Sequence, residues 1–94
     1  MDSHTSVSIN RPARYAKQLA MHLSHKIQSI PTDTGWDLVF SQGTASIVVT
    51  EHAIEFSTTA ATTEDTAFIQ DVLDRHLKKF AAKEGELSIE WVNT

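Results

Sequence analysis

Cysteine is absent from this chain of 94 residues, which also has only three glycines and two prolines. Without cysteine the chain can form neither a disulfide framework nor a thiolate metal site, and nothing indicates an oxidising compartment. Gly35, Gly43 and Gly85 all fall at predicted turns. No glycine-rich loop is therefore left to bind phosphate or a dinucleotide, and no serine lies in a nucleophile-elbow pattern.

Long apolar runs and an excess of positive charge are also missing. Apolar runs reach only three residues, as at Ile47–Val49, which is too short to span a bilayer, and residues 1–10 lack the features of a signal peptide. The net charge of −4 argues against a nucleic-acid partner, because neutralising phosphates requires a basic surface. We therefore expect a soluble cytoplasmic protein that binds neither nucleic acid nor membranes.

The charges that are present are unevenly distributed. A basic group precedes a long acidic stretch with no lysine or arginine before Arg75; the basic group comprises Arg11, Arg14, Lys17 and Lys26, and the acidic stretch contains Asp33, Asp37, Glu51, Glu55, Glu64 and Asp65. This pattern is typical either of a basic helix edge that offsets an acidic sheet edge or of an anion-binding face.

Two amphipathic helices are predicted. The clearer one covers residues 62–82, with a cap at Thr62 or Thr63 and a core stripe formed by Phe68, Val72, His76 and Phe80, with Ile69, Leu73 and Leu77 on the same side. The other covers residues 13–29, with Asn10 as its cap and Pro12 in its first turn. Its apolar face carries Tyr15, Leu19, Leu23 and Ile27.

Alternating apolar residues predict the strands. A weak strand is expected at residues 5–9, after a disordered tail at residues 1–4. Three strands at residues 36–41, 45–50 and 54–57 should form a meander, and a last strand is expected at residues 87–92. Residues 57–66 resemble a linker. Since a strand-helix-strand unit returns the chain in the same direction, the sheet should be mixed.

The order strand, helix, three strands, helix, strand predicts a single α+β domain over residues 1–94. It should be a two-layer sandwich, with a mixed, mostly antiparallel sheet of four to five strands and both helices on one face. The opposite sheet face is polar apart from Val39 and Val48. That face is either solvated or a partner surface, and the pattern permits a homodimer.

Histidines are the main candidates for chemistry. His22 and His25 lie three residues apart on the first helix, so their imidazoles could bind zinc, nickel or iron if His76, Asp65 or an acid from the sheet supplied a further ligand. The alternative is that His22 and His25 are hydrogen-bonded packing residues and that His76 is a satisfied core histidine. No catalytic residue is predicted.

One pattern resembles a known family. Residues 13–19 (A-R-Y-A-K-Q-L) with His22, His25 and Lys26, and later residues 75–80 (R-H-L-K-K-F) and 89–91 (I-E-W), resemble a small bacterial family catalogued as domain of unknown function 2218. The chain departs from that pattern in the threonine-rich residues 58–63. The resemblance implies a compact single domain. The matching positions, which are candidate ligand-binding residues, are Arg14, Tyr15, Gln18, His22, His25, Lys26 and His76.

Some members of that family are joined to flavin-dependent siderophore-interacting proteins, so the resemblance implies an association with iron or siderophore handling. We expect a non-enzymatic binding or accessory domain whose partner is a siderophore-interacting flavoprotein or a small anionic ligand. Two alternatives stay open: a structural or protein-interaction domain without a ligand, and a small enzyme with His76 or His22 as general base. The enzyme is least favoured because no second catalytic partner can be named.

Overall fold

The computed structural model describes residues 1–94 as a six-stranded sheet covered on one face by two helices. The elements are β1 (Asp2–Ser8), α1 (Pro12–Leu23), β2 (Gln28–Pro31), β3 (Gly35–Phe40), β4 (Gly43–Val49), β5 (Ala53–Ala60), α2 (Thr63–Phe80), a 3-10 turn at Ala82–Glu84 and β6 (Val92–Asn93). The predicted α+β fold in two layers, with both helices on one face, is confirmed. Neither helix is long and apolar enough to cross a membrane.

The sheet has the strand order β2-β3-β4-β5-β1-β6, and every neighbouring pair is antiparallel. The prediction of a mostly antiparallel sheet is therefore confirmed, but the sheet has six strands rather than four to five and contains no parallel pair. Each helical connection does return the chain in the same direction, as expected. The two strands joined by each helix are not neighbours in the sheet, however. β1 lies between β5 and β6, and β2 is the edge strand farthest from β1.

The first strand begins earlier than the sequence indicates. Residues 2–4, predicted as a disordered tail, belong to β1, whose side chains alternate between exposed and buried. Two of the buried positions are Ser3 and Thr5, and the hydroxyls of Ser3 and Thr58 are hydrogen-bonded to each other. A paired hydroxyl can be buried at little cost. The core face of β1 therefore shows no apolar residue before Val7, and the sequence does not mark the first half of the strand.

The first helix ends six residues before the predicted boundary, at Leu23. The Ser24 hydroxyl donates to the Met21 carbonyl (2.6 Å), and the N–H groups of Lys26 and Ile27 donate to the Leu23 carbonyl. The chain then forms β2, which was predicted as the end of the helix. Pairing with β3 satisfies backbone groups that would otherwise lie along an open edge.

The start of α1 also differs from the prediction. Arg11, not Asn10, occupies the cap position, with a left-handed φ of 55° and no capping side chain. The Asn10 amide instead donates to Glu84 Oε1 (3.0 Å). Pro12 is the first helical residue, as expected.

Two later boundaries also differ from the prediction, and one helix cap is confirmed. The predicted linker is part of β5 as far as Ala60, because Thr58 and Thr59 alternate between core and solvent. Thr62 caps α2 through a hydrogen bond from the Asp65 N–H (3.1 Å), which confirms that signal. Of the predicted last strand, residues 87–92, only Val92 pairs with β1, as part of β6.

A core of 19 buried apolar side chains lies between the helices and the inner face of the sheet. In α2 the fully buried row is Ile69, Leu73 and Leu77, whereas Phe68 is 46% exposed. The predicted core stripe is therefore rotated by one position. A second row of side chains on α2, which includes His76 and Phe80, faces the margin between α2 and α1, where the candidate site lies.

Candidate functional site

All of the predicted site residues except His25 lie along the margin between α1 and α2, in two separate concavities. We call the first the histidine groove; its volume is about 770 Å³ and its lining includes His22, Lys26, Phe68, Val72, Arg75 and His76. We call the second the basic pocket; its volume is about 530 Å³ and its lining includes Arg11, Arg14, Tyr15, Gln18, Lys83 and Glu84. Phe80 lines the basic pocket and contacts both histidine rings, so it separates the two.

His22 of α1 and His76 of α2 are brought into direct contact. Their ring centroids are 5.1 Å apart with an interplanar angle of 43°, and the edge of the His22 ring meets Phe80 at 5.2 Å. His76 Nδ1 lies 2.6 Å from the Val72 carbonyl oxygen. Since a carbonyl only accepts, Nδ1 carries the proton, and Nε2 of the neutral ring is left as an acceptor or a ligand.

The environment of His22 favours its neutral form. Desolvation lowers the pKa of His22 below its ordinary value, and the nearby His76, His25, Lys79 and Lys26 lower it further when they are charged. Both mechanisms act against the imidazolium. His22 therefore stays unprotonated to a lower pH than an isolated histidine.

The histidine groove combines apolar and cationic surface. Phe68 and Val72 of α2 face Ile27 and Phe40 across it, and Lys26 and Arg75 are also among its lining residues. No acidic side chain lines the groove; Arg75 does pair with Asp71 one turn earlier on α2 (2.7 Å), at an exposed position. The groove therefore suits a ligand with an apolar body and a negative group.

The basic pocket is organised around Glu84. Tyr15 Oη donates to Glu84 Oε2 (2.8 Å) and the Asn10 amide donates to Oε1, so both carboxylate oxygens accept a hydrogen bond. The hydrogen bond to Glu84 raises the pKa of the Tyr15 phenol, with burial and the charge of Glu84 adding to the effect. Three cations and one carboxylate thus line this pocket.

The predicted residues are only partly brought together. Arg14, Tyr15 and Gln18 line the basic pocket, and His22, Lys26 and His76 line the histidine groove. His25 lines neither and does not contact the ring of His22 or His76. No group of three or more histidines and acids is placed to bind a metal ion, so neither Asp65 nor an acid of the sheet completes a His22–His25 site.

Sequence reasoning missed Phe68, Arg75 and Glu84. Phe68 was assigned to the core because it shares the four-residue spacing of Val72 and His76, and a rotation of one position cannot be read from that spacing. Arg75 carried a signal, since it belongs to the R-H-L-K-K-F segment. Glu84 carried none, because its position depends on the 3-10 turn after α2.

The outer face of the sheet is mostly polar, and its apolar side chains are Ile30 of β2, Val39 of β3, Val48 of β4 and Val92 of β6. Ile30 and Val39 are 42% and 39% exposed there. Val39 matches the predicted exception, whereas Ile30 was expected at the end of the first helix.

These features define a small two-layer α+β domain with an open groove between its two helices. The family model described as an uncharacterized protein conserved in bacteria (DUF2218) matches residues 4–92, and the chain belongs to this family. The resemblance drawn from the sequence motifs is thereby confirmed.

A solved structure shows the same fold. The NMR structure of PA4090 from Pseudomonas aeruginosa is similar with a TM-score of 0.82 and 23% sequence identity, over 97% of this chain and 94% of that chain. No curated protein matches the chain in sequence.

Proposed function

We propose that this protein is a non-enzymatic binding domain that takes a small amphipathic anion into the histidine groove. The observation that carries the proposal is the lining of the groove, which joins apolar side chains to Lys26 and Arg75 and includes no acid. A ligand of this class would place its apolar part against Phe68 and Val72. Its acid group would meet the lysine and the guanidinium, which bind carboxylates through charge-assisted hydrogen bonds.

The exposed aromatic ring of Phe68 is the strongest support. A phenylalanine that is 46% exposed beside the buried Val72 presents apolar surface at the mouth of a concave site, where covering it releases water. The geometry of the histidines supports binding over catalysis. His76 Nδ1 donates to a backbone carbonyl, so no carboxylate orients this ring as it would in a general-base pair.

An association with iron or siderophore handling is the finer part of the proposal, and the motif resemblance supports it. A ferric siderophore complex is itself an anionic or polar chelate with apolar portions. It would be bound through the chelator, since the chain has no cluster of three metal ligands of its own. A siderophore-interacting flavoprotein in the cytoplasm is the proposed protein partner.

Thermal unfolding with a set of defined compounds tests the proposal. The set contains octanoate, 2,3-dihydroxybenzoate, ferric citrate and a ferric catecholate chelate, with sodium chloride at matched ionic strength as the control. A compound present at 100 times its Kd stabilises the folded state by about 2.7 kcal/mol. For a domain of this size that corresponds to a rise in Tm of about 10 °C or more.

Matched variants locate the site. Arg75→Gln and Lys26→Gln should abolish most of the stabilisation, whereas Lys17→Gln removes a charge from the same helix as His22 but outside the groove and should leave it unchanged. Arg75→Gln loses only an exposed pair with Asp71, so the variant folds normally.

Two results would overturn the proposal: no compound shifts the Tm, or Lys17→Gln weakens the shift as much as the groove variants do. The first result would favour the protein-interaction alternative, for which the exposed Ile30 and Val39 on the outer sheet face are the supporting observation.

A further inference from the structure

We infer that His22 and His76 together form a binding site for one divalent transition-metal ion, Ni²⁺, Cu²⁺ or Zn²⁺. The two ligands of this site come from different helices, whereas the predicted pair, His22 and His25, was placed on a single helix. The inferred metal site does not depend on the proposed binding of an amphipathic anion, although both histidines line the histidine groove.

The spacing of the rings carries the inference. Metal–nitrogen bonds of about 2.0–2.1 Å place the centroids of two imidazoles on one tetrahedral ion about 5 Å apart. The His22 and His76 centroids are 5.1 Å apart.

His76 makes the hydrogen bond that a metal-binding histidine usually makes through its second ring nitrogen. Its Nδ1 donates to the Val72 carbonyl at 2.6 Å, within one turn of the same helix. Ligating histidines almost always donate their second ring nitrogen in this way, which fixes the tautomer and the ring orientation. Nε2 of His76 is thus the ligating atom, and helix α2 itself holds it in place.

The charges around the site set its affinity and its open positions. The groups that face His22 are His76, His25, Lys26 and Lys79, and Arg75 also lines the groove. The lysines and Arg75 among these groups repel a bare cation. The ion is therefore held weakly by two imidazoles, and its remaining positions go to water or to anionic donors.

The ligand set selects the kind of ion. Two imidazoles without a carboxylate suit Ni²⁺, Cu²⁺ and Zn²⁺, whereas Mg²⁺ and Ca²⁺ require several oxygen ligands. Among the three, Cu²⁺ should bind most tightly.

Titration of the purified protein with NiCl2 and ZnCl2 by calorimetry and by imidazole ¹⁵N NMR tests the inference. The starting protein carries His4→Gln and His52→Gln, so that only His22, His25 and His76 remain. We expect one ion per chain, with the His76 Nε2 resonance shifted and Nδ1 still protonated. His22→Gln and His76→Gln should each weaken metal binding by about tenfold or more. Loss of a hydrogen-bond partner of a ligand already lowers metal affinity by about 10–100-fold.

His25→Gln is the matched control and should bind as the starting protein does. The site is disproved if His25→Gln weakens binding as much as His22→Gln does, if His76→Gln leaves it intact, or if no ion binds. His76 is half-buried, so His76→Gln is checked for folding by thermal unfolding; His22 is exposed, and its variant gives an independent result. Because the metal is added without any organic anion, the outcome is separate from that of the compound set above.

Discussion

Tyr15 Oη donates a 2.8 Å hydrogen bond to Glu84 Oε2 across 69 residues of sequence. The bond joins the beginning of α1 to the turn after α2 and closes one end of the margin between the helices.

Replacing Glu84 should change the ionisation of Tyr15. The hydrogen bond to the carboxylate stabilises the neutral phenol and holds its pKa above 10.0, so Glu84→Gln should lower that pKa toward 10.0. Tyr15 is the single tyrosine of the chain, and absorbance near 295 nm therefore follows it alone. Between 10.0 and the raised pKa the folded state binds more protons than the unfolded state, so this contribution to stability falls as pH rises through that window. An unchanged titration in Glu84→Gln would show that the carboxylate is not the cause.

Desolvation is the largest cause of the lowered pKa of His22, and repulsion between the two imidazoles is the next, so His76→Gln should raise that pKa part of the way toward 6.5. The histidine ring protons in NMR spectra between pH 4.5 and 8 report this directly. The His22 pKa is lowered in the folded state, so between that value and 6.5 the unfolded state binds more protons and stability rises with pH. His22→Gln should flatten that part of the curve. His25→Gln, which removes a weaker neighbour, should shift the His22 pKa by less than His76→Gln does.

Trp91 should contribute to stability through both its ring and its indole N–H. The ring stacks on Phe56 with centroids 6.1 Å apart, and Nε1 donates to Asp74 at 3.0 Å. Trp91→Phe keeps an aromatic ring and loses the hydrogen bond, so it should cost about 1 kcal/mol. Trp91→Ala loses both and should cost about 3 kcal/mol. Urea denaturation measures the difference; equal costs for the two variants would mean that the ring contributes nothing.

Gly35→Ala should destabilise the fold far more than Gly85→Ala does. A Cβ at Gly35 would lie 1.8 Å from the Ile47 carbonyl oxygen in β4, and the three nearest atoms are all backbone of Ile47 and Val48, so no flexible side chain can move aside to relieve the clash. We expect a loss of about 4 kcal/mol or more. Gly85 has a φ of 86° but open space around it, so its alanine variant should lose only about 1–3 kcal/mol of conformational strain. Thermal unfolding of the two variants side by side decides the order.

The layers of the fold could be read from the sequence because both helices and the meander carry strong periodicity. Leu19 and Leu23, and Ile69 and Leu73, are buried as the spacing predicted. The edges of the sheet could not be read in this way. The first half of β1 buries Ser3 and Thr5, and β2 buries no residue fully, so neither segment shows apolar alternation. Pairing partners that are distant in sequence decide such strands.

The candidate site was predictable as residue types but not as a constellation. The motif drew attention to His22 and His76, and their contact depends on how two helices pack, which no local pattern encodes. The spacing of His22 and His25 suggested a pair, yet helix packing turns His22 toward α2 and leaves His25 outside the groove. Arg14 and Tyr15 were likewise assigned to the same site as the histidines, from which Phe80 separates them.

The position of β1 between β5 and β6 makes folding depend on a contact that forms late during synthesis. Ser3 and Thr58, which are hydrogen-bonded in the core, are 55 residues apart. β1 therefore leaves the ribosome long before β5 exists to pair with it, and β6 has no partner until β1 has joined the sheet. Pairings of such wide sequence separation slow folding, so this domain should fold in milliseconds to seconds, with closure of the β1–β5 ladder as the slow step. Until that step is complete, the open edge of β5 is the part of the chain most exposed to pairing with another molecule.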